Sequence, residues 1–106
     1  MNSSEEFQEI TILEQNLQNL LFQKQAFQME LNETESALNE LEGADDEVYK
    51  IAGQILIKSN KENLKKELLE KKKLIELRIS SIEKQEKFFS EKISKISSKK
   101  AKNPSK

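Results

Sequence analysis

The sequence predicts a mainly α protein: two long helices folded back on each other as an antiparallel coiled coil and joined by a single β-hairpin. Three observations carry this. Apolar residues recur at alternating steps of three and four through both halves of the chain, the period of a coiled coil rather than of a globular helix. Turn-formers are sparse, with two Gly (Gly43, Gly53) and one Pro (Pro104) in 106 residues. The segment between the periodic stretches is rich in β-branched residues and centres on Gly53-Gln54, a pair suited to a two-residue type II′ hairpin turn.

The first helix is expected over 4–42. Ser3 stands three residues before Glu6, the capping-box spacing. From Ile10 the seam runs through Leu13, Leu17, Leu20, Phe27, Leu31, Leu38 and Leu41, with only Lys24 and Thr34 interrupting it. Gly43 follows where a left-handed C-terminal cap favours glycine. The hairpin is expected over 47–58. The second helix, over 60–97, opens with a second capping-box pair, Ser59 and Glu62, and carries Leu68, Ile75, Ile82, Phe89 and Ile96 every seven residues. Ile79 and Ile93 fill the companion column, which Lys65, Lys72 and Glu86 dilute. Residues 1–97 therefore form one domain, and the Lys- and Ser-rich stretch 98–106 is expected to be a disordered tail.

Charge is divided along the chain. Residues 1–60 hold three Lys against twelve Asp and Glu, whereas residues 61–106 hold fifteen Lys and Arg against seven Glu. Antiparallel packing would set acidic against basic surface, which selects a partner more than it stabilises, because exposed pairs contribute roughly 0–1 kcal/mol each. At 35% hydrophobic and 35% charged the chain cannot fill a large core. Without His or Cys it lacks zinc sites of those ligands, disulfides, thiol catalysis and imidazole acid–base chemistry. No apolar run reaches the ~20 residues of a membrane span, no signal peptide follows Met1, and no Gly-rich phosphate loop is present. A soluble, cytoplasmic chain that is not an enzyme is expected, with no cofactor and no metal. Glu62, Glu67, Glu70 and Glu76 interrupt the basic half, which disfavours nucleic acid as a partner.

The hairpin has a consequence for assembly. Two isolated strands are marginal in water, and these carry Val48, Tyr49, Ile51, Ile55, Leu56 and Ile57 with two unpaired edges. The helices leave from its ends to pack on each other, so other chains must cover it. Set between two heptad helices, the run Val48-Tyr49-Lys50-Ile51-Ala52-Gly53-Gln54-Ile55-Leu56-Ile57-Lys58 resembles the β-class subunit of prefoldin, from about Glu6 to Ser97. Val-Tyr-Lys-x-x-Gly followed by alternating aliphatics is its most specific part; the lysine-rich tail departs from the pattern. The resemblance implies an ATP-independent holding chaperone. Six α-class and β-class subunits would join through their hairpins into a β-barrel platform. The coiled-coil tips would grip unfolded clients and deliver them to a group II chaperonin. A structural coiled-coil protein without chaperone activity is the alternative; it accounts for the heptads but not for the apolar hairpin.

Two groups of residues are candidates for client contact. At the tip, the start of the first helix supplies Phe7, Ile10, Leu13 and Leu17 and the end of the second supplies Phe88, Phe89, Ile93 and Ile96. Most of these also lie on the seam, where packing between the helices is the first explanation; Phe7 and Phe88 lie off it and are the better candidates for client contact. The second group occupies the columns opposite the seam: Ile12, Phe22 and Met29 on the first helix and Leu74 and Leu77 on the second. Large apolar groups there are expected to face solvent, where flexible Met and Phe suit promiscuous binding.

Overall fold

The computed structural model describes residues 3–102, and the side chains of 3–98. The elements run α1 (Ser3–Glu42), β1 (Glu47–Ala52), β2 (Ile55–Asn60) and α2 (Lys61–Lys102). The order and number of elements are those expected; their ends differ in instructive ways.

Ser3 is already helical, so it does not occupy the non-helical cap position that a capping box with Glu6 requires. At the other end of α1, Gly43 is not left-handed; Gly53 is the glycine with positive φ. The helix instead tightens, with the Gly43 N–H donating to Glu40 O at 3.3 Å and the Ala44 N–H to Leu41 O at 3.1 Å. Lys61, the first residue of α2, completes the cap from outside. Its Nζ donates to Glu42 O (3.1 Å) and Ala44 O (3.2 Å), and its backbone N–H donates to Asp46 O at 2.8 Å. The last turn of α1 holds no basic residue of its own, so Lys61 supplies the cation that a helix C-terminus favours.

The second capping box is also displaced. Strand pairing extends to Val48↔Ser59 and Glu47↔Asn60, which takes Ser59 into β2 and leaves Asn60 to cap α2. Asn60 Oδ1 accepts from the Asn63 N–H at 2.8 Å, the third position of the helix. At its far end α2 continues through Lys102 rather than stopping at 97, so the expected tail is helical over its first part. Lys and Ala are good helix formers, and cations suit a helix C-terminus. The remainder of that tail, 103–106, lies outside the described residues.

The hairpin is antiparallel, with Ala52↔Ile55 flanking the turn. Gly53 has φ +63° and Gln54 does not have positive φ, the combination that distinguishes a type II′ turn from type I′. A Cβ at Gly53 would meet nothing within 4 Å, so glycine is required there by backbone conformation alone.

Packing falls into two compact units. In the unit formed by residues 27–78, α1 and α2 run antiparallel, with Leu41, Thr34 and Ile75 buried and Phe27, Leu31, Leu38 and Leu68 half-buried. Thr34 is only 3% exposed, and its hydroxyl donates to Glu30 O at 2.8 Å, which removes the cost of burying it. Glu42–Lys65 and Glu30–Lys71, both 3.6 Å, pair acidic α1 with basic α2 as the charge division predicts. In the unit formed by residues up to Ala26 and from Ile79 onward, Leu13, Leu20 and Ile82 are buried. Here the ion pair has the opposite sense. Lys24 Nζ lies 2.7 Å from Glu86 Oε1, with side chains 19% and 20% exposed. The two residues that dilute the seam satisfy each other within it. The Glu86 hydrogen bond, with the charges of Glu86 and Glu83, raises the Lys24 ammonium above its ordinary 10.5, outweighing the lowering effect of burial.

Candidate functional site

Cross-strand partners in an antiparallel pair share a face of the hairpin. On one face lie Tyr49, Ile51 and Leu56, beside the Glu47–Lys58 ion pair at 3.0 Å. The other carries Val48, Lys50, Ala52, Ile55, Ile57 and Ser59. Only the base of this second face is covered: Val48, Lys50 and Ser59 are half-buried, and Lys50 Nζ binds both carboxylate oxygens of Glu67 on α2, at 3.1 and 3.0 Å. The expectation that the helices leave the hairpin wholly uncovered is thus corrected at its base. Toward the turn it holds. Ile51 is 79% exposed, Ile55 66% and Leu56 63%, with Tyr49 and Ile57 also exposed. The two-stranded sheet leaves exposed apolar groups on both faces near the turn.

The residues expected at the tip divide by exposure. Phe7 and Phe88, off the seam, are 67% and 57% exposed. Leu13 is buried, and Ile10, Leu17, Phe89, Ile93 and Ile96 are half-buried, in keeping with seam packing. Phe88 stands edge-on to Phe89, with centroids 5.5 Å apart, and Lys92 Nζ lies 5.6 Å from the Phe88 centroid. One aromatic therefore links the packed seam to an exposed surface under a cation.

Of the residues opposite the seam, Ile12 and Phe22 are exposed in one unit and Met29, Leu74 and Leu77 in the other. The heptad register read from the sequence is therefore correct on both helices. Leu21 and Leu69 are exposed as well and were not singled out, because each flanks the seam rather than opposing it. Lys61 was also missed: its cap depends on a loop brought back by the hairpin, and nothing local in the sequence signals it. Among the described residues, no group of three or more His, Cys, Asp or Glu is placed to hold a metal, and no helix is long and apolar enough to cross a membrane.

Helices that pack as an antiparallel pair, with an apolar hairpin open between them, define a coiled-coil subunit whose free chemistry is apolar surface. The sequence profile of the prefoldin-subunit family matches residues 4–103. The chain is 46% identical over 76 residues to prefoldin subunit beta of Archaeoglobus fulgidus, covering 70% of this chain and 66% of that one. It is 39% identical over 85 residues to prefoldin subunit beta of Thermococcus kodakarensis, covering 78% and 73%. The crystal structure of the prefoldin beta subunit from Thermococcus strain KS-1 superposes with a TM-score of 0.85 at 34% identity, over 91% of this chain and 86% of that chain. The chain belongs to the prefoldin family, as a β-class subunit. It accordingly shares the family's co-chaperone role and its assembly with other prefoldin subunits.

Proposed function

We propose that the chain is an ATP-independent holding subunit. Its hairpin joins α-class and β-class partners in a hexameric β-barrel platform, and its helix ends hold unfolded clients for delivery to a group II chaperonin in the cytoplasm. The observation that carries this is the placing of exposed apolar groups. Ile51, Ile55 and Leu56 are open on the hairpin, and Phe7 and Phe88 are open near the helix ends remote from it in sequence. Burial of apolar surface is the force available to both tasks, assembly at one site and holding at the other. Val48, Tyr49 and Ile57 support the assembly surface. Ile10, Leu13, Leu17, Phe89, Ile93 and Ile96 become available to a client where the helix ends fray from each other.

Truncation tests the reading. Removing residues 1–17 together with 88–106 shortens both helices, takes away all eight candidate tip residues and leaves the hairpin intact. With an α-class partner the shortened subunit is expected to form the same six-subunit particle by light scattering and to lose suppression of aggregation of a denatured client. Full suppression by the shortened particle would refute holding at the helix ends and direct attention to Phe22, Met29, Leu74 and Leu77.

A further inference from the structure

In the unit that holds the helix ends, α1 and α2 flank an open surface groove of about 290 Å³ lined by Asn16, Asn19, Leu20, Gln23, Gln85 and Phe89. Leu20 is buried and Phe89 half-buried, and around this apolar floor stand four carboxamides, Asn16 half-buried and Asn19, Gln23 and Gln85 exposed. None of the four makes a side-chain hydrogen bond among the described residues. The stretch from Gln15 to Gln23 contains no charged residue, in a chain that is 35% charged. An ordinary solvated helix face of this protein is built from Lys and Glu; this one is built from groups that both donate and accept.

A carboxamide offers the same N–H and C=O pair as a peptide bond. Asn16, Asn19 and Gln23, spaced by three and four, share one face of α1 at steps of about 4.5 and 6 Å. An extended chain presents like-facing peptide groups about 6.6–6.8 Å apart, a mismatch that flexible Asn and Gln side chains can absorb. Burying neutral amides against a ligand costs little where each finds a partner, whereas covering Lys or Glu would leave a charge to desolvate. The occupant that best complements these amides is one that brings unsatisfied peptide groups of its own. Another subunit's helix does not, since its backbone is bonded internally. An unfolded chain does.

We propose that this groove binds an extended, uncharged segment of unfolded polypeptide through its main chain, with the Phe89 ring meeting an apolar side chain. The proposal rests on the holding function above and adds a recognition chemistry to it. Exposed Phe7 and Phe88 select apolar side chains, whereas the carboxamides select chains whose backbone is free. Folded proteins, with their peptide groups already paired, are passed over.

Two probes test it on the hexamer assembled with an α-class partner: a short fluorescein-labelled, end-capped peptide of alternating Val and Thr, and the same peptide N-methylated at alternate backbone nitrogens, read by fluorescence anisotropy. The unmethylated peptide is expected to bind roughly tenfold more tightly, as for one or two hydrogen bonds. The triple substitution Asn16→Ala, Asn19→Ala, Gln23→Ala is expected to bring the two affinities together while leaving the thermal midpoint unchanged or raised. Equal binding of both peptides by the unsubstituted hexamer overturns the main-chain proposal and leaves holding intact. Binding of neither also overturns the main-chain proposal, and suppression of aggregation of a denatured client by the same hexamer reports holding separately. A preference that survives the triple substitution overturns the assignment to this groove, and a change in particle size on substitution makes the groove a subunit contact instead.

Discussion

Replacing Lys61 with Met isolates the cap at the end of α1. The substitution keeps an apolar stem of similar length and removes two N–H···O=C bonds, to Glu42 O at 3.1 Å and Ala44 O at 3.2 Å, the first of them exposed. A net hydrogen bond contributes about 0.5–1.5 kcal/mol and a cation at a helix C-terminus about 0.3–1 kcal/mol. Allowing for the exposure of the Glu42 bond, the expected loss is about 1–2 kcal/mol. The backbone bond from Lys61 N–H to Asp46 O remains, so the strand register should persist. Lys65→Met is the matched control: its contact with Glu42 is 3.6 Å with both side chains well exposed, so it should shift stability by less than about 0.5 kcal/mol. Gly43→Ala completes the set. With no left-handed φ at Gly43, and only Glu40 O near a new Cβ, at 4.0 Å, alanine should be neutral or stabilising by up to about 1 kcal/mol. Urea unfolding followed by circular dichroism at one fixed protein concentration measures all three. Equal midpoints for the two lysine variants, or a destabilised Gly43→Ala, would refute capping by Lys61.

Ile51→Lys with Ile55→Lys should release the chain from the hexamer as a largely helical monomer or small oligomer; an unchanged particle by size-exclusion chromatography would refute assembly through the hairpin. Leu20→Ala, at a buried seam position, should cost roughly 2–5 kcal/mol, whereas Phe22→Gln, Met29→Gln and Leu77→Gln, all exposed, should each shift stability by about 0.5 kcal/mol or less. The same three glutamines should weaken aggregation suppression if those residues touch clients, and unchanged suppression would return them to ordinary surface. The raised pKa of Lys24 means that the folded chain holds that proton more tightly than the unfolded one. Its stabilisation is therefore complete below pH 10.5 and is lost as pH rises through the higher folded value. Lys24→Met should abolish this alkaline step in a plot of thermal midpoint against pH.

The heptad seam, the hairpin and the type II′ turn were legible in the sequence because each is set by neighbours within a few residues. A 3.5-residue period places Leu13, Leu20, Leu41, Ile75 and Ile82 inside whatever helix they meet, and Gly53 alone supplies the φ that the turn requires. The exposed residues opposite the seam follow from the same period. Helix ends were less legible. Ser59 and Asn60 are both good caps, and the choice between them fell to strand pairing with Val48 and Glu47, contacts set by the hairpin register rather than by local propensity.

Tertiary structure alone decided the contacts that join distant residues. Lys24 and Glu86 each read as a flaw in an apolar seam. Only antiparallel packing puts them 2.7 Å apart, where one charge offsets the cost of covering the other. Gly43 read as a left-handed cap, yet the fold returns Lys61 to that helix end and satisfies its carbonyls with an ammonium, leaving no need for the glycine conformation. The groove of Asn16, Asn19, Gln23 and Gln85 needs both helices to exist, since a row of amides on one helix is only a polar face until Phe89 and Gln85 stand beside it. Period and turn chemistry act over a few residues, and they determined the elements of this protein. Capping, charge pairing and grooves depend on which residues packing brings together, and only the folded chain holds that information.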